Sequence, residues 1–394
     1  MSTAVAPARP VDAAGLRRLV DRVAAAAEPH VARTDREAAF PVEALAELRS
    51  TGLLGLLVPT PYGGLGGTLP DLLAAAERLG RTDLSVAMIF AMHCQQVAAV
   101  VRYADEPLRS DLLRRVGDGA YLASVTTEAG KGGHLLSAEA ALRADGGALV
   151  LDRFAPIVTG GRYADGFLVT MRSPHDPADS AVSLVFAGRD QVDVTESGDW
   201  QPLGMRASHS VALRLAGRVP AHQVVGPHGA FREISVSVFA PLAHLGWAAC
   251  WLGTACGALS RVLRLLRSPA GRARTDLGSE LLLSRLSRAR QRVDTVHALL
   301  RHAATVVEPG GDLSGPRTQL LLNGLKITAA EQCLAAVEDL VDAVGLRHGY
   351  LRDSPTRLEL ALRDLRSAAL NYHNDRLHLA DGRLALLDPE VHLA

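Results

Sequence analysis

Lysine is almost missing from this chain of 394 residues. Lys131 and Lys326 are the only two among 42 basic residues, which leaves 42 − 2 = 40 arginines. Net charge is missing too: 42 acidic residues balance the 42 basic ones, and no dense basic block occurs. Such a chain gives nucleic acid no electrostatic footing. The four cysteines (Cys94, Cys250, Cys256 and Cys333) have no paired spacing. That excludes a disulfide framework or a cysteine zinc site and suits a reducing, cytoplasmic setting. The N-terminal "MSTAVAPARPVDAAG" lacks the apolar core of a signal peptide and reads as a loose tail. One uncharged run, Ser235 to Leu259, is long enough to span a bilayer. It contains Pro241, His244 and many small residues, and continues into "SRVLRLLR" on the same helical phase. We read it as a buried bundle helix and expect no membrane association.

What is present falls into three textures. Residues 1–120 carry helical patterns, such as "PVEALAELRSTG", "PDLLAAAERLGRTD" and an apolar central helix "DLSVAMIFAMHCQQVAAVVRYA". Residues 121–227 hold short β-rich runs parted by Gly, Asp and Pro turns: "ALVLDRF", "GFLVTMR", "AVSLVFA", "QVDVTE" and "VALRLAG". Residues 228–394 return to helices, over about 230–267, 279–306, 316–345 and 356–380. The fold class is α+β: an N-terminal helical domain, a middle antiparallel β domain and a C-terminal helical bundle.

Chemistry is sought in the loops, where function concentrates. "TTEAGKGGHLLS" (Thr126 to Ser137) places one of the two lysines in a glycine-rich loop. No Ser or Thr follows Lys131, so this is not a P-loop. Its glycines let backbone N–H groups approach an anion, and Thr126 and Thr127 suit the polar edge of a heterocycle; a plain turn fits the same pattern. "PIVTGGRYADGFLV" reads as an extended segment whose Thr159 points out at a tight turn, or as a simple hairpin. "WQPLGMRASHS" gathers Trp200, Arg206, Ser208 and His209 between strands, in a functional or a merely solvated loop. His373 and His378 are five apart, no His-Glu-x-x-His occurs, and no carboxylate cluster appears, so no metal site is expected. Nor is there a nucleophile-elbow glycine pattern.

Taken in order, these stretches resemble the acyl-CoA dehydrogenase superfamily from about residue 40 to 376. The matching segments are "GLLGLLVPTPYGGLGG", "SVTTEAGKGG", "PIVTGGRYADGFLV", "LGMRASHSVALRLAGRVPAHQVVG" and "GLRHGYLRDSPTRLELALRDLR". The resemblance implies a flavin enzyme with a C-terminal four-helix bundle, its ring between the β domain and the bundle, assembled as a homotetramer or homodimer. It assigns Thr126, Thr127, Lys131, Gly132 and Gly133 to the cofactor loop, and Ile157, Val158 and Thr159 to the strand covering the ring. Arg272 and Gly345 fall in turns that grip the adenosine half of FAD from a partner subunit.

Departures from the family pattern bear on mechanism. The dehydrogenases use a glutamate to take a proton from an acyl thioester. Its position here is Tyr372, in "NYHN", and the alternative site on the first bundle helix is Ala243, followed by His244. The adenosine-gripping turns lack their Phe-Gly and Gln, and His134 replaces the aspartate that closes the flavin loop. Similar losses mark the two-component flavin monooxygenases, which take reduced flavin, often FMN, from a separate reductase and use histidine and serine side chains. His93, Ser208 and His373 are the candidates for that role. A monooxygenase is therefore the preferred expectation. The alternatives are an acyl-CoA or acyl-carrier-protein dehydrogenase with Tyr372 or His244 as base, and a non-catalytic binding scaffold.

Overall fold

The computed structural model describes residues 10–131, 134–307 and 313–394. The N-terminal part consists of α1 (Ala13–Ala27), α2 (Val31–Glu37), α3 (Val42–Ser50), α4 (Leu69–Gly80), α5 (Leu84–Tyr103) and α6 (Leu108–Gly117). A reciprocal capping box between Thr68 and Asp71, with Pro70 in the first turn, starts α4. The Asp83 carboxylate accepts from the Val86 N–H and starts α5. α5 is apolar all round, so it can only be stable in the interior, and it packs against α4, β1 and α8.

The middle part holds β1 (Leu122–Val125), β2 (Arg143–Asp145), β3 (Ala148–Ala155), β4 (Gly166–Arg172), β5 (Val182–Gly188), β6 (Val192–Ser197), β7 (Ala212–Pro220) and β8 (Val224–Val225). They form two four-stranded sheets, β1-β4-β5-β8 and β2-β3-β7-β6. Runs such as "VSLVFAG" in β5 are buried throughout, whereas β3 alternates buried and exposed residues and keeps one face wet. One pairing departs from the antiparallel expectation: β1 and β4 run parallel, Leu122 opposite Gly166. A parallel pair needs a long crossover, and here the chain passes through β2 and β3 before returning.

The C-terminal part contains α7 (Phe231–Ile234), α8 (Ala240–Arg267), α9 (Pro269–Arg272), α10 (Glu280–Val306), α11 (Pro316–Gly345), α12 (Leu358–Leu365) and α13 (Asn374–Ala385). α8 packs on α4, α5, α10 and α11 and buries Trp251 completely. Burying one such large apolar side chain is worth about 1.5–3 kcal/mol. Among the described residues three helical stretches are long and apolar enough to cross a membrane, and most of each apolar window is buried inside the fold. The helix anticipated over 356–380 is in fact two helices. The chain leaves α12 at Leu365 and re-enters at Asn374, with Tyr372 in the left-handed region at φ 52°. That break carries the Tyr372–His373 pair.

Candidate active site

The β-domain half of the site grows out of the end of β1. Thr127 Oγ1 donates to the Ile157 carbonyl at 3.1 Å, tying the threonine loop to the segment before Gly160. Along that segment the side chains alternate. Val158 is fully buried, whereas Ile157 is half exposed and Thr159 partly so. Val158 can therefore offer a ligand only backbone, and the covering surface is Ile157 flanked by two hydroxyls. The Thr159 carbonyl accepts from the Tyr121 hydroxyl at 3.0 Å. Its own hydroxyl lies 3.0 Å from Ser210 Oγ, which lies 2.8 Å from Ser208 Oγ. Ser208 is thus linked to Thr159, but from a buried position one hydroxyl further back.

The threonine loop is held from beneath by a residue that the sequence reading missed. Arg153 of β3 is 1% exposed. Its guanidinium donates to the carbonyls of Thr127 at 2.8 Å and Thr170 at 3.2 Å, and pairs with Glu128 at 3.2 Å. Glu128 in turn accepts from the N–H groups of Glu139 and Ala140. The loop glutamate is a structural clamp with no free oxygen for acid–base work. A signal was present in "ALVLDRFA": Arg153 sits on the buried phase of an alternating strand.

The bundle half lies on α8, α11 and the turn before α13. His244 on α8 is buried, with its ring centroid 6.5 Å from that of Tyr372 and 6.4 Å from that of Trp247. One ring nitrogen donates to the Leu322 carbonyl, while Nδ1 is buried without a partner among the described residues. Burial foremost, then the nearby Lys326 cation, pushes the His244 pKa down to about 4. Among the described residues no carboxylate acts on this imidazole. Tyr372 is about a third exposed, and its carbonyl accepts from Lys326 Nζ at 3.0 Å. His373 is exposed at the start of α13.

The loop that follows β6 joins the two halves. The Met205 N–H donates to Asp364 of α12 at 2.7 Å. Gly204 packs so closely that a Cβ there would lie 2.1 Å from the Arg363 carbonyl oxygen.

Not every expected residue is brought to this site within the chain. His93 is fully buried in α5, with Nε2 2.8 Å from the Leu54 carbonyl and Nδ1 accepting from the Leu122 N–H at 2.9 Å. Both nitrogens are spent on backbone, so its role is to fasten α5 to β1. Arg272 and Gly345 are exposed and make no hydrogen bond to the threonine loop among the described residues. Gly132, Gly133 and the Lys131 side chain lie outside the described residues. Two open surface recesses, of about 480 and 620 Å³, lie elsewhere, one around Arg162 and Glu196 and the other along α10.

The residues present fit a flavin ring. An exposed apolar side chain flanked by Thr127 and Thr159 matches a flat heterocycle with a polar edge, and Tyr121, Arg153 and Glu128 hold that surface rigid.

Comparison with known proteins gives the same fold. Residues 12–120 match the family described as acyl-CoA dehydrogenase, N-terminal domain. A probable acyl-CoA dehydrogenase of Mycobacterium tuberculosis, fadE25, is 24% identical over 344 residues, covering 85% of each chain. A dibenzothiophene monooxygenase of Mycolicibacterium goodii is 24% identical over 344 residues, covering 80% of this chain and 81% of that one. FMN-bound TdsC from Paenibacillus sp. A11-2 superposes with a TM-score of 0.84 at 22% identity, over 95% of this chain and 97% of that one.

Proposed function

We propose that this chain is a flavin-dependent monooxygenase of the acyl-CoA dehydrogenase superfamily, taking reduced FMN or FAD and O2 to a small organic or carrier-bound substrate. One observation carries the choice of reaction. At the two positions where dehydrogenases keep a glutamate, this chain has Tyr372 and the Ala243-His244 pair, and among the described residues the charge acting on His244 is the cation of Lys326. A dehydrogenase must draw a proton from carbon, a task to which a phenol is poorly suited beside a carboxylate. The kinship with dibenzothiophene monooxygenases points the same way.

Bound reduced flavin would supply the electrons that activate O2. The chain's own residues supply the rest. Thr127 and Thr159 would hold the polar edge of a flavin ring, with Ile157 as its apolar neighbour. His244 Nδ1 and the Tyr372 ring orient the substrate, and the buried wall of α8 excludes water. The threonine-loop glycines Gly132 and Gly133, with Lys131, would meet a phosphate. Arg272 and Gly345 remain candidates for a neighbouring protomer's cofactor, and His373 stands at the mouth of the same turn.

Leu346, Tyr350, Leu351 and Leu370 are exposed apolar residues flanking α12, and they suit burial in a homotetramer or homodimer. A separate reductase is the expected electron source. The four free cysteines suit a reducing, cytoplasmic setting.

The test is an anaerobic titration with reduced FMN and reduced FAD, followed by O2 in the presence of indole. Submicromolar binding of reduced flavin, with an oxygenated product that requires O2, is the expected result. Bleaching of the oxidised, flavin-loaded protein by a short acyl-CoA without O2 would instead establish the dehydrogenase. No binding of either flavin form would leave the scaffold.

A further inference from the structure

Of the two lysines, Lys131 falls in the threonine loop and Lys326 lies beneath the His244–Tyr372 face. It is 0% exposed, on the face of α11 turned toward α8. Its ammonium donates to the Tyr372 carbonyl at 3.0 Å and to Asn374 Oδ1 at 2.7 Å. It also lies 5.8 Å from the centre of the Trp251 ring. Among the described residues no carboxylate forms an ion pair with it, and Glu331, also on α11, acts on it only at a distance. A chain that uses arginine at 40 of 42 basic positions places here the compact cation with three tetrahedral donors. A planar guanidinium does not replicate that geometry.

Two further facts sit beside this cation. Tyr372 has a left-handed backbone, unfavourable for a bulky residue, and its carbonyl is one of those Lys326 holds. Next to it, His244 presents an unpartnered, buried Nδ1 while its other nitrogen is committed to the Leu322 carbonyl. A buried lone pair left without a donor is costly, and the fold pairs almost all such groups.

We propose that Lys326 is a positioning residue: it pins the Tyr372–Asn374 turn against α11 and leaves His244 Nδ1 as a bare acceptor for an N–H or O–H carried by the substrate. This rests on the reading that the His244–Tyr372 face receives the substrate. The cation opposes a second proton on the imidazole, so Nδ1 keeps its lone pair across the neutral range. Every group facing His244 agrees with this. Lys326 comes from α11 and Tyr372 from the turn before α13, Trp247 is on α8 itself, and α5 brings no charge to it. Lys326 itself, lowered by burial to about 8, stays cationic at neutral pH. With Trp247 and Tyr372 alongside, the fitting substrate is a flat aromatic bearing a ring N–H or a hydroxyl.

The experiment uses the full-length chain without flavin, so its outcome is independent of the cofactor. Ring-labelled histidines are titrated by NMR in wild type, Lys326→Met and Lys326→Arg, with His244→Asn to assign the signal. His244 should titrate near 4 in wild type, rise above that value in Lys326→Met but only part of the way, because burial remains, and stay low in Lys326→Arg. Binding of indole is compared with binding of 1-methylindole, which lacks the N–H. Wild type should prefer indole by roughly 3–10-fold, the worth of one net hydrogen bond, and His244→Phe should abolish the preference. Should Lys326→Met fail to fold, Lys326→Gln keeps a donor for the Tyr372 carbonyl without the charge and carries the same test. An unmoved His244 titration in the folded uncharged variant, or equal binding of the two indoles by wild type, overturns the proposal. Loss of reduced-flavin binding would overturn the oxygenase reading while leaving these two readouts untouched.

Discussion

Thr159 Oγ1 and Ser210 Oγ lie 3.0 Å apart, and Ser208 Oγ extends the line as a third hydroxyl 2.8 Å beyond Ser210. Ser208 is buried, and its hydroxyl has no other partner among the described residues. The arrangement that wastes no donor has Ser208 donating to Ser210 and Ser210 donating to Thr159. The Thr159 hydroxyl then keeps its own proton for the ligand. Thr159→Val should weaken FMN binding by roughly 3–10-fold, and Ser210→Ala by less, because it only unsettles the donor. Equilibrium titration of flavin fluorescence measures both. Unchanged affinity in both variants would separate the trio from the cofactor.

The Arg153–Glu128 pair gives a second prediction. Both side chains are buried, and the guanidinium also serves the Thr127 and Thr170 carbonyls. Removing one member strands the other in a low-dielectric setting, which costs about 3–5 kcal/mol. Arg153→Met should therefore destabilise the chain by about that much in chemical denaturation. It should also loosen the threonine loop, raising the Kd for flavin. Glu128→Gln keeps oxygen and size and should cost less. Equal effects of the two variants would show that packing, not charge, holds the loop.

How far the sequence reveals such detail depends on the range of the forces involved. α4 and α5 were legible because their caps and apolar spacing are local. The Thr127 and Thr159 loops were legible from short motifs that meet in space through the Ile157 carbonyl. The parallel β1–β4 pairing was not, since strand order is set by contacts between distant residues. His93 and Ser208 illustrate the same limit. Whether a histidine nitrogen or a hydroxyl faces a ligand or a carbonyl depends on a residue dozens of positions away, such as Leu54 or Leu122 for His93. The break before α13 was hidden because "ALRDLRSAALNYHNDRLHLA" has continuous helical texture. The turn that breaks it is held by Lys326, 46 residues upstream, through the Tyr372 carbonyl.

Gly204 offers a test of the joint between the halves. A methyl group there would meet the Arg363 carbonyl oxygen at 2.1 Å, inside contact distance of backbone that cannot swing away. Gly204→Ala should push the loop off α12, strain the Met205–Asp364 hydrogen bond, and cost about 1–3 kcal/mol as an overpacking defect. Thermal unfolding of the variant against wild type reads this directly. A stable Gly204→Ala with unchanged flavin affinity would mean that the loop and bundle are not rigidly coupled.

His93 sets an acid limit on the fold. Burial pushes its pKa from 6.5 down to about 4. A depressed folded-state value means that the unfolded chain binds the proton more readily. The stabilisation is therefore fully present above pH 6.5, declines as pH falls below it, and is gone at about 4. The interval is 6.5 − 4 = 2.5 units, worth about 3 kcal/mol at about 1.4 kcal/mol per unit. Asp83 works against this trend: burial raises its pKa to about 6, so its contribution is present below its ordinary 3.8 and is lost as pH climbs through 6. A comparison at fixed Asp83 isolates the histidine. His93→Gln can still donate to the Leu54 carbonyl and accept from the Leu122 N–H, but it does not titrate. Its unfolding free energy should fall less steeply than that of wild type between pH 6.5 and 4, even if it starts lower at pH 7. Parallel slopes in the two proteins would mean that His93 is already protonated in the fold, and that one of its two backbone hydrogen bonds is not made.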